Sequence, residues 1–385
     1  MNFEYTSEQQ LIAESVRKYL EKNYDFELRQ KRVQKPMDID RHTWTQFADM
    51  GLLGLGVAPL FGGLGGGAND WMPVMEVMGE SLVLEALIDH VGFATRLLAR
   101  SALAYHRNEL LPRLMDGSLV ATFAYLEPEQ RIASHQLETT AVAHDLGWKL
   151  NGKKTGVMGL PQATAFLIAA QLHSGVGLFW VDASSAGIHI DMYQTYDGRV
   201  AADVSLKDVV LDHRAYVNLG EDCWPWIEEA IDYSSALLCA DALGAMKCAN
   251  DLTVQYVKER KQFGVTIGSF QALQHRMVDL LMAYEQSKSM TILAVCSIDE
   301  YANSLQQADM DKRKTSISAA MVCLINASRL ISQECVQLHG AMGMSDEMKI
   351  SHIFRRLTAF SQMHGDIDEH LDRYTQLMYR DSFTS

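Results

Sequence analysis

The chain has no CxxC pair, no apolar run approaching the roughly 20 residues that span a bilayer, and no excess of basic charge. Each absence removes a class of function. The six cysteines, Cys223, Cys239, Cys248, Cys296, Cys323 and Cys335, are scattered, so they read as buried thiols of a cytoplasmic protein rather than a disulfide or zinc framework. The formal net charge of -14 argues against nucleic acid or an anionic membrane as a partner. The opening Met1-Asn2-Phe3-Glu4-Tyr5-Thr6 lacks the basic-then-apolar pattern of a secretion signal. What remains is a chain of 385 residues with 48% apolar residues, enough for two or three globular domains.

Three blocks are expected. Residues 1–119 have helical periodicity: Leu11, Val16 and Leu20 make one stripe, Phe47, Leu52 and Leu53 another, and Thr6-Ser7-Glu8-Gln9-Gln10 supplies an N-cap. The run Gly62-Gly63-Leu64-Gly65-Gly66-Gly67 reads as a turn, because nothing before it resembles the buried strand that precedes a phosphate loop. Residues 120–220 change period. The short apolar runs 165–170 and 176–181 and the segment 203–211 read as strands of a small β domain, and Asn151-Gly152 predicts a hairpin turn. Residues 221–385 are helical again, with Leu273, Met277, Leu280 and Tyr284 marking a bundle helix. The twenty methionines suit such packing.

Two segments carry chemistry. Lys258-Glu259-Arg260-Lys261-Gln262-Phe263-Gly264, running on through Val265 to Gln271-Ala272-Leu273-Gln274-His275, concentrates cations, amides and an aromatic ring at a helix end. A pyrophosphate joined to an aromatic base needs that mixture. About seventy residues later, Gln337-Leu338-His339-Gly340-Ala341-Met342-Gly343 is a glycine-spaced turn where backbone can approach a ligand.

Together these segments resemble the FAD-binding signature of acyl-CoA dehydrogenases, and the resemblance extends over essentially the whole chain, including Met50-Gly51-Leu52-Leu53-Gly54-Leu55-Gly56. It implies an α+β, mostly α fold: an N-terminal helical domain, a middle β domain and a C-terminal four-helix bundle. It implies that Arg260, Gln262, Phe263, Gln271, Gln337 and Gly340 approach the adenosine diphosphate part of FAD. The substrate would be an acyl-CoA thioester, with an electron-transferring flavoprotein as acceptor.

The chemistry implied is removal of an α proton by a carboxylate while a hydride leaves the β carbon for the flavin. Family members carry that base as a Glu in a Tyr-Glu-Gly-Thr-like sequence, or on the helix leading into the Arg-containing segment. Here Gly365, within Met363-His364-Gly365-Asp366, and Ser234, within Asp232-Tyr233-Ser234-Ser235, are expected at those two places. Asp366 is the nearest carboxylate and the candidate displaced base. The Trp-Ile-Thr run that packs on the flavin ring in the family reads Gly156-Val157-Met158-Gly159, and the Thr-Glu-Pro stretch reads Leu126-Glu127-Pro128-Glu129-Gln130-Arg131. Glycine and methionine supply neither an indole face nor a hydroxyl donor. His364, Asp366, Asp368, Glu369 and His370 could be arranged around a metal, but acids at a helix start have a plain capping role, and no metal is expected.

The adenosine half of the cofactor site is thus kept and the ring-and-base half eroded. In this family the FAD lies across a dimer interface. The pattern, with Arg355-Arg356-Leu357-Thr358 and the segment 360–371, looks like the small subunit of two-component acyl-CoA dehydrogenases, which act on dicarboxylyl-, alicyclic- or steroid-side-chain-CoA thioesters. It implies a heterotetramer whose second subunit carries the catalytic Glu. A homotetramer using Asp366, and a family-derived binding protein without dehydrogenase activity, are the alternatives.

Overall fold

A computed structural model of the chain describes residues 4–38, 41–130 and 134–379, so Arg131 of the stretch noted above lies outside the described residues. The helices and strands run in the order α1 (Ser7–Asn23), α2 (Phe26–Val33), α3 (Arg41–Asp49), α4 (Ala68–Ser81), α5 (Arg96–Ala99) and α6 (Leu111–Met115), then β1 (Ala121–Ala124), β2 (Thr140–His144), β3 (Gly147–Met158), β4 (Ala165–Leu172), β5 (Gly175–Asp182), β6 (Ile188–Gln194) and β7 (Val200–Asp212). After them come α7 (Trp224–Glu259), the two-residue strands β8 (Lys261–Gln262) and β9 (Val265–Thr266), α8 (Gln271–Tyr301), α9 (Gln307–His339), α10 (Lys349–Phe360) and α11 (Ile367–Met378). This is the mostly helical α+β fold with a middle β half-barrel that the sequence implies.

The chain divides into two compact units, one of residues 1–31, 68–83 and 235–385, the other of residues 32–67 and 84–234. The second unit holds the seven-stranded sheet, ordered β1-β4-β2-β3-β7-β6 with β5 on β4. Strand β4 shows why this sheet is buried on both sides. Ala165, Leu167 and Ala169 join Phe93, Leu97, Leu178 and Ile227 in one core, while Phe166, Ile168 and Ala170 join Leu150, Phe179, Val204 and Val209 in the other. An alternating strand with both faces apolar is the signature of a central strand.

Asn151-Gly152 does not turn the chain. The turn between β2 and β3 lies at Asp145-Leu146, since His144 pairs with Gly147. Asn151 and Gly152 instead sit inside β3, at a register shift against β7, where Gly152 has φ 151° and the Asn151 side chain accepts from the Asp208 backbone N–H at 2.8 Å. The glycine accommodates a close approach, because a Cβ there would lie 2.4 Å from Thr139 Oγ1.

In the first unit, α1 packs on α4, α4 on α8, and α9 on α8, α10 and α11. Helices α4 and α7 touch backbone to backbone through reciprocal glycines. A Cβ on Gly79 would lie 1.8 Å from the Asp241 carbonyl oxygen, and one on Gly244 1.9 Å from that of Glu76. The glycine run ahead of α4 is a turn, and the α4 N-terminus is already filled: Asp299 accepts from the Ala68 and Asn69 backbone N–H groups at 2.6 and 2.9 Å. A carboxylate thus occupies the place a phosphate would need.

Three expectations need correction. Leu11 is 67% exposed, because it lies five positions before Val16, a spacing that carries it off the buried stripe. Leu52 and Leu53 are buried but lie in a 3-10 turn after Gly51 (φ 76°), not on a continuous α-helical stripe with Phe47. Cys296 is exposed and Cys248 and Cys323 are half-buried, although all six thiols are free. The segment Gln307–Met344, which contains α9, is apolar enough over 18 residues to cross a bilayer by length and composition, yet it is a core helix packed among α8, α10 and α11.

Candidate functional site

Helix α7 ends at Glu259, and Arg260 is held by its backbone N–H to the Tyr256 carbonyl at 2.8 Å. The chain then folds as a tight β8–β9 hairpin. Phe263 and Gly264 occupy its two turn positions with φ 54° and 82°, the double left-handed pattern of a two-residue hairpin turn. An aromatic residue in that conformation is unusual, and the result is a phenyl ring 90% exposed at the tip. The hairpin is anchored below: the Ile267 N–H donates to the Arg260 carbonyl at 2.8 Å, and Gly268 lies against the end of α7, where a Cβ would be 2.9 Å from the Val257 carbonyl oxygen. Gln271 then opens α8, exposed.

The second segment is brought alongside by a contact the sequence does not advertise. The Tyr256 ring stacks on His339, with centroids 4.4 Å apart and planes 23° apart, and its hydroxyl donates to the His339 carbonyl at 3.2 Å. Four residues after Tyr256 comes Arg260, and beside His339 stand Gln337 and Gly340. The ends of α7 and α9 are therefore tied together, so the two motifs share one end of the unit. Arg260, Gln262, Phe263, Gln271, Gln337 and Gly340 are all exposed there, and Gly340 (φ 63°) has open space where a side chain would stand. Among the described residues, neither Arg260 nor Lys261 makes an ion pair. Free cations, an exposed ring and an uncovered glycine turn fit a pyrophosphate carrying an aromatic base.

The positions expected to face the flavin ring look different. Gly156 has φ 62° with nothing within 4 Å of where a Cβ would be, and lies at a register shift in β3. Just before it stands a buried pair that sequence reasoning missed. Lys154 Nζ donates to Glu127 Oε1 at 2.7 Å, and Glu127 also accepts from the Glu138 and Thr139 N–H groups at 2.6 and 2.9 Å. Burial pushes the Lys154 ammonium down to about 8. Burial also works to raise Glu127, but the Lys154 charge and the three donors hold it below the usual carboxylate range. Both are ionised at neutral pH, and together they fasten the Glu-Pro stretch to β3.

Neither of the two places where the resemblance puts the base holds a carboxylate. Ser234 is fully buried; its hydroxyl has no partner among the described residues, and Gly92 makes room for it, since a Cβ there would sit 2.3 Å away. Gly365 has φ 107°, a conformation glutamate rarely adopts. Asp366 is the N-cap of α11. One of its oxygens accepts from the Asp368 and Glu369 N–H groups at 3.0 and 3.1 Å, while Glu369 returns a bond to the Asp366 N–H at 2.8 Å, a reciprocal capping box. His370 turns inward, with Nδ1 3.3 Å from Ser318 Oγ.

Two family models match the chain: acyl-CoA dehydrogenase, N-terminal domain, over residues 6–118, and acyl-CoA dehydrogenase, C-terminal domain, over residues 221–376. The chain belongs to the acyl-CoA dehydrogenase family. Its members are oxidoreductases acting on CH–CH groups, with FAD as cofactor. Among relatives, the probable acyl-CoA dehydrogenase YngJ of Bacillus subtilis is 24% identical over 372 residues, covering 92% of this chain and 93% of its own. The fold matches the ChsE4-ChsE5 complex from Mycobacterium tuberculosis with a TM-score of 0.88 at 21% identity, all of both chains being covered. The Tcur3481-Tcur3483 steroid ACAD matches with a TM-score of 0.84 at 25% identity over 98% of this chain and 99% of that one.

Proposed function

We propose that this acyl-CoA dehydrogenase works as one subunit of a heterotetramer, completing the FAD site of a related subunit without supplying the catalytic base. The observation that carries this reading is the contrast between the two halves of the site. The exposed hairpin and glycine turn present Arg260, Gln262, Phe263, Gln271, Gln337 and Gly340 outward, while both base positions lack a carboxylate and Asp366 is engaged at a helix start. Phe263, 90% exposed, is costly to leave in water and suits a base stacked on it from a neighbouring chain. The likeness to the ChsE4-ChsE5 complex and to the Tcur3481-Tcur3483 steroid ACAD, both named as pairs, supports a two-component assembly and a bulky acyl-CoA substrate.

In this reading bound FAD would supply the acceptor for the hydride leaving the substrate β carbon, with an electron-transferring flavoprotein as the electron acceptor. Arg260 would neutralise the pyrophosphate with a planar fork of donors, Phe263 would offer its exposed ring to the adenine, and the Gly340 turn would leave room for backbone to come close. The partner supplies the flavin-facing residues and the Glu that takes the α proton. The work is done in the cytoplasm, on an acyl-CoA thioester. Producing the chain alone and together with a related subunit tests this: alone it retains little flavin and no activity, and together both are restored. A flavin-loaded, active homotetramer from this chain alone would overturn the proposal.

A further inference from the structure

Three helix ends supply the residues expected at the adenosine end of the cofactor, and the last turn is where a helix is least held by its own hydrogen bonds. Arg260 follows α7, Gln271 opens α8, and Gln337 and Gly340 lie at the end of α9. Side chains on separate helix ends reach one ligand only if their spacing is fixed. Tyr256 ties two of these ends together. Its carbonyl accepts from the Arg260 N–H at 2.8 Å, its hydroxyl donates to the His339 carbonyl at 3.2 Å, and its ring stacks on the His339 imidazole with centroids 4.4 Å apart. His339 is buried, and its Nδ1–H donates to the Cys335 carbonyl one turn back at 2.8 Å. Burial pushes the imidazole below its ordinary range, so a neutral ring lies on the phenol. The next residue, Gly340, turns the chain out of α9 with its N–H on the Gln337 carbonyl. The start of α8 is braced separately: Arg276 Nε donates to Glu334 Oε2 on α9 at 2.6 Å, and Asn250 Nδ2 on α7 donates to the Leu280 carbonyl at 3.3 Å.

We infer that Tyr256 and His339 are positioning residues for FAD, acting through their neighbours: they hold the Arg260 hairpin and the Gly340 turn at the spacing in which both reach one diphosphate. This deepens the reading above and rests on it for one point, that the two segments approach the adenosine diphosphate part of FAD. It holds whether the flavin ring is carried by this chain or by a related one. The physical reason is preorganisation. A guanidinium fork and a glycine turn already set at the right separation bind without first being ordered, whereas loose helix ends lose part of their interaction with the ligand to that ordering. Tyr256 suits the task because one residue reaches both segments, Arg260 through its backbone and His339 through its side chain.

The test is the Kd for FAD, titrated into the flavin-stripped protein in whichever assembly retains flavin, this chain alone or with a related subunit, with the melting temperature recorded for each variant. Tyr256→Leu removes the stack and the hydroxyl and is expected to raise Kd by about tenfold or more, whereas Tyr256→Phe keeps the stack and stays within about threefold. Arg260→Ala is the control. Because Tyr256 acts through the Arg260 hairpin, Tyr256→Leu should shift Kd by no more than about threefold once Arg260 is already alanine. An equal loss in both backgrounds means a general weakening of the fold and overturns the inference. So does a Kd unchanged in Tyr256→Leu while Arg260→Ala weakens binding, a result that leaves the adenosine-end reading standing. If Arg260→Ala itself leaves Kd unchanged, that reading fails and the inference with it. Should Tyr256→Leu fail to fold, His339→Leu and His339→Phe make the same comparison from α9: Kd rises in the first and is kept in the second, where an aromatic ring still meets Tyr256. An equal rise in both overturns the inference.

Discussion

At the residue scale, the side chains proposed to face FAD and the capping side chains make opposite predictions. Arg260 is exposed and makes no ion pair among the described residues, so Arg260→Ala should leave the melting temperature within a degree or two while stripping FAD from the assembled enzyme. Full flavin occupancy in that variant, read from the absorbance ratio of flavin to protein, refutes the assignment. Asp366 has a task that geometry makes plain: it caps α11. Asparagine caps about as well as aspartate, so Asp366→Asn should keep both stability and turnover within a few-fold, whereas Asp366→Ala should cost about 1 kcal/mol in a thermal or urea melt. A large loss of turnover in Asp366→Asn with FAD still bound would return the residue to the catalytic class. The capping box itself was legible in the sequence, since an acid at the helix start followed three residues later by Glu369 is its pattern. The ring of Phe263 was legible as a ligand group but not as a turn residue, because nothing in local propensity favours phenylalanine at φ 54°.

Elements show why some patterns translate and others do not. Asn-Gly favours positive φ, and a bulge inside a strand uses that preference as readily as a hairpin does; the choice at residues 151–152 was made by pairing with β7, a partner some fifty residues away. Similarly, the Lys154–Glu127 pair and the Tyr256–His339 stack join residues far apart in the chain, and only the fold reveals them. The π-helical turn Asp89–Thr95 offers a prediction of its own. His90 is fully buried, its Nε2–H donating to the Leu114 carbonyl at 3.0 Å and its Nδ1 accepting from the Ala121 N–H at 3.3 Å, so it is held neutral. Burial pushes it down to about 4 from 6.5, and the stability it contributes is present above pH 6.5 and lost as pH falls through 4. Burial pushes the neighbouring Asp89 up to about 6 from 3.8, with Arg199 opposing, so its contribution has the reverse sign: present below pH 3.8 and lost as pH rises through 6. Each shift corresponds to about 3 kcal/mol, and between pH 6.5 and 4 the two largely offset each other. Asp89→Asn removes one side of that balance. Its unfolding free energy should fall by about 3 kcal/mol more than the wild type's over this pH interval, as read from urea melts; parallel curves would show that the two groups are not so coupled to folding.

For the whole molecule, the argument turns on where binding free energy can be collected. A chain that owned a complete FAD site would be stabilised by FAD on its own, because any ligand that binds the folded state and not the unfolded one raises the free energy of unfolding by about RT ln(1 + [L]/Kd). A chain that owns only the adenosine end collects little of that term alone, since an ADP group held on an open hairpin lacks the contacts of the ring. Block order and the two motifs were readable in the sequence, because helix and strand periods and glycine-spaced turns are local signals. The proposed two-component assembly has no such local signal: the sequence implies it only through the family resemblance and through what residues 234 and 365 lack. The expected outcome is therefore specific. Added FAD should leave the melting temperature of this chain alone nearly unchanged, and raise that of the hetero-assembly by an amount that grows with FAD concentration. The second effect should shrink in Arg260→Ala, which removes the cationic fork from the dinucleotide end. At FAD concentrations a hundredfold above Kd the gain in the assembly is about 2.7 kcal/mol, several degrees in a scanning fluorimeter. An equal FAD-dependent rise in this chain alone would mean that it holds the whole cofactor, ring included, and that Gly156 and Met158 are not the loss they represent in the half-site reading.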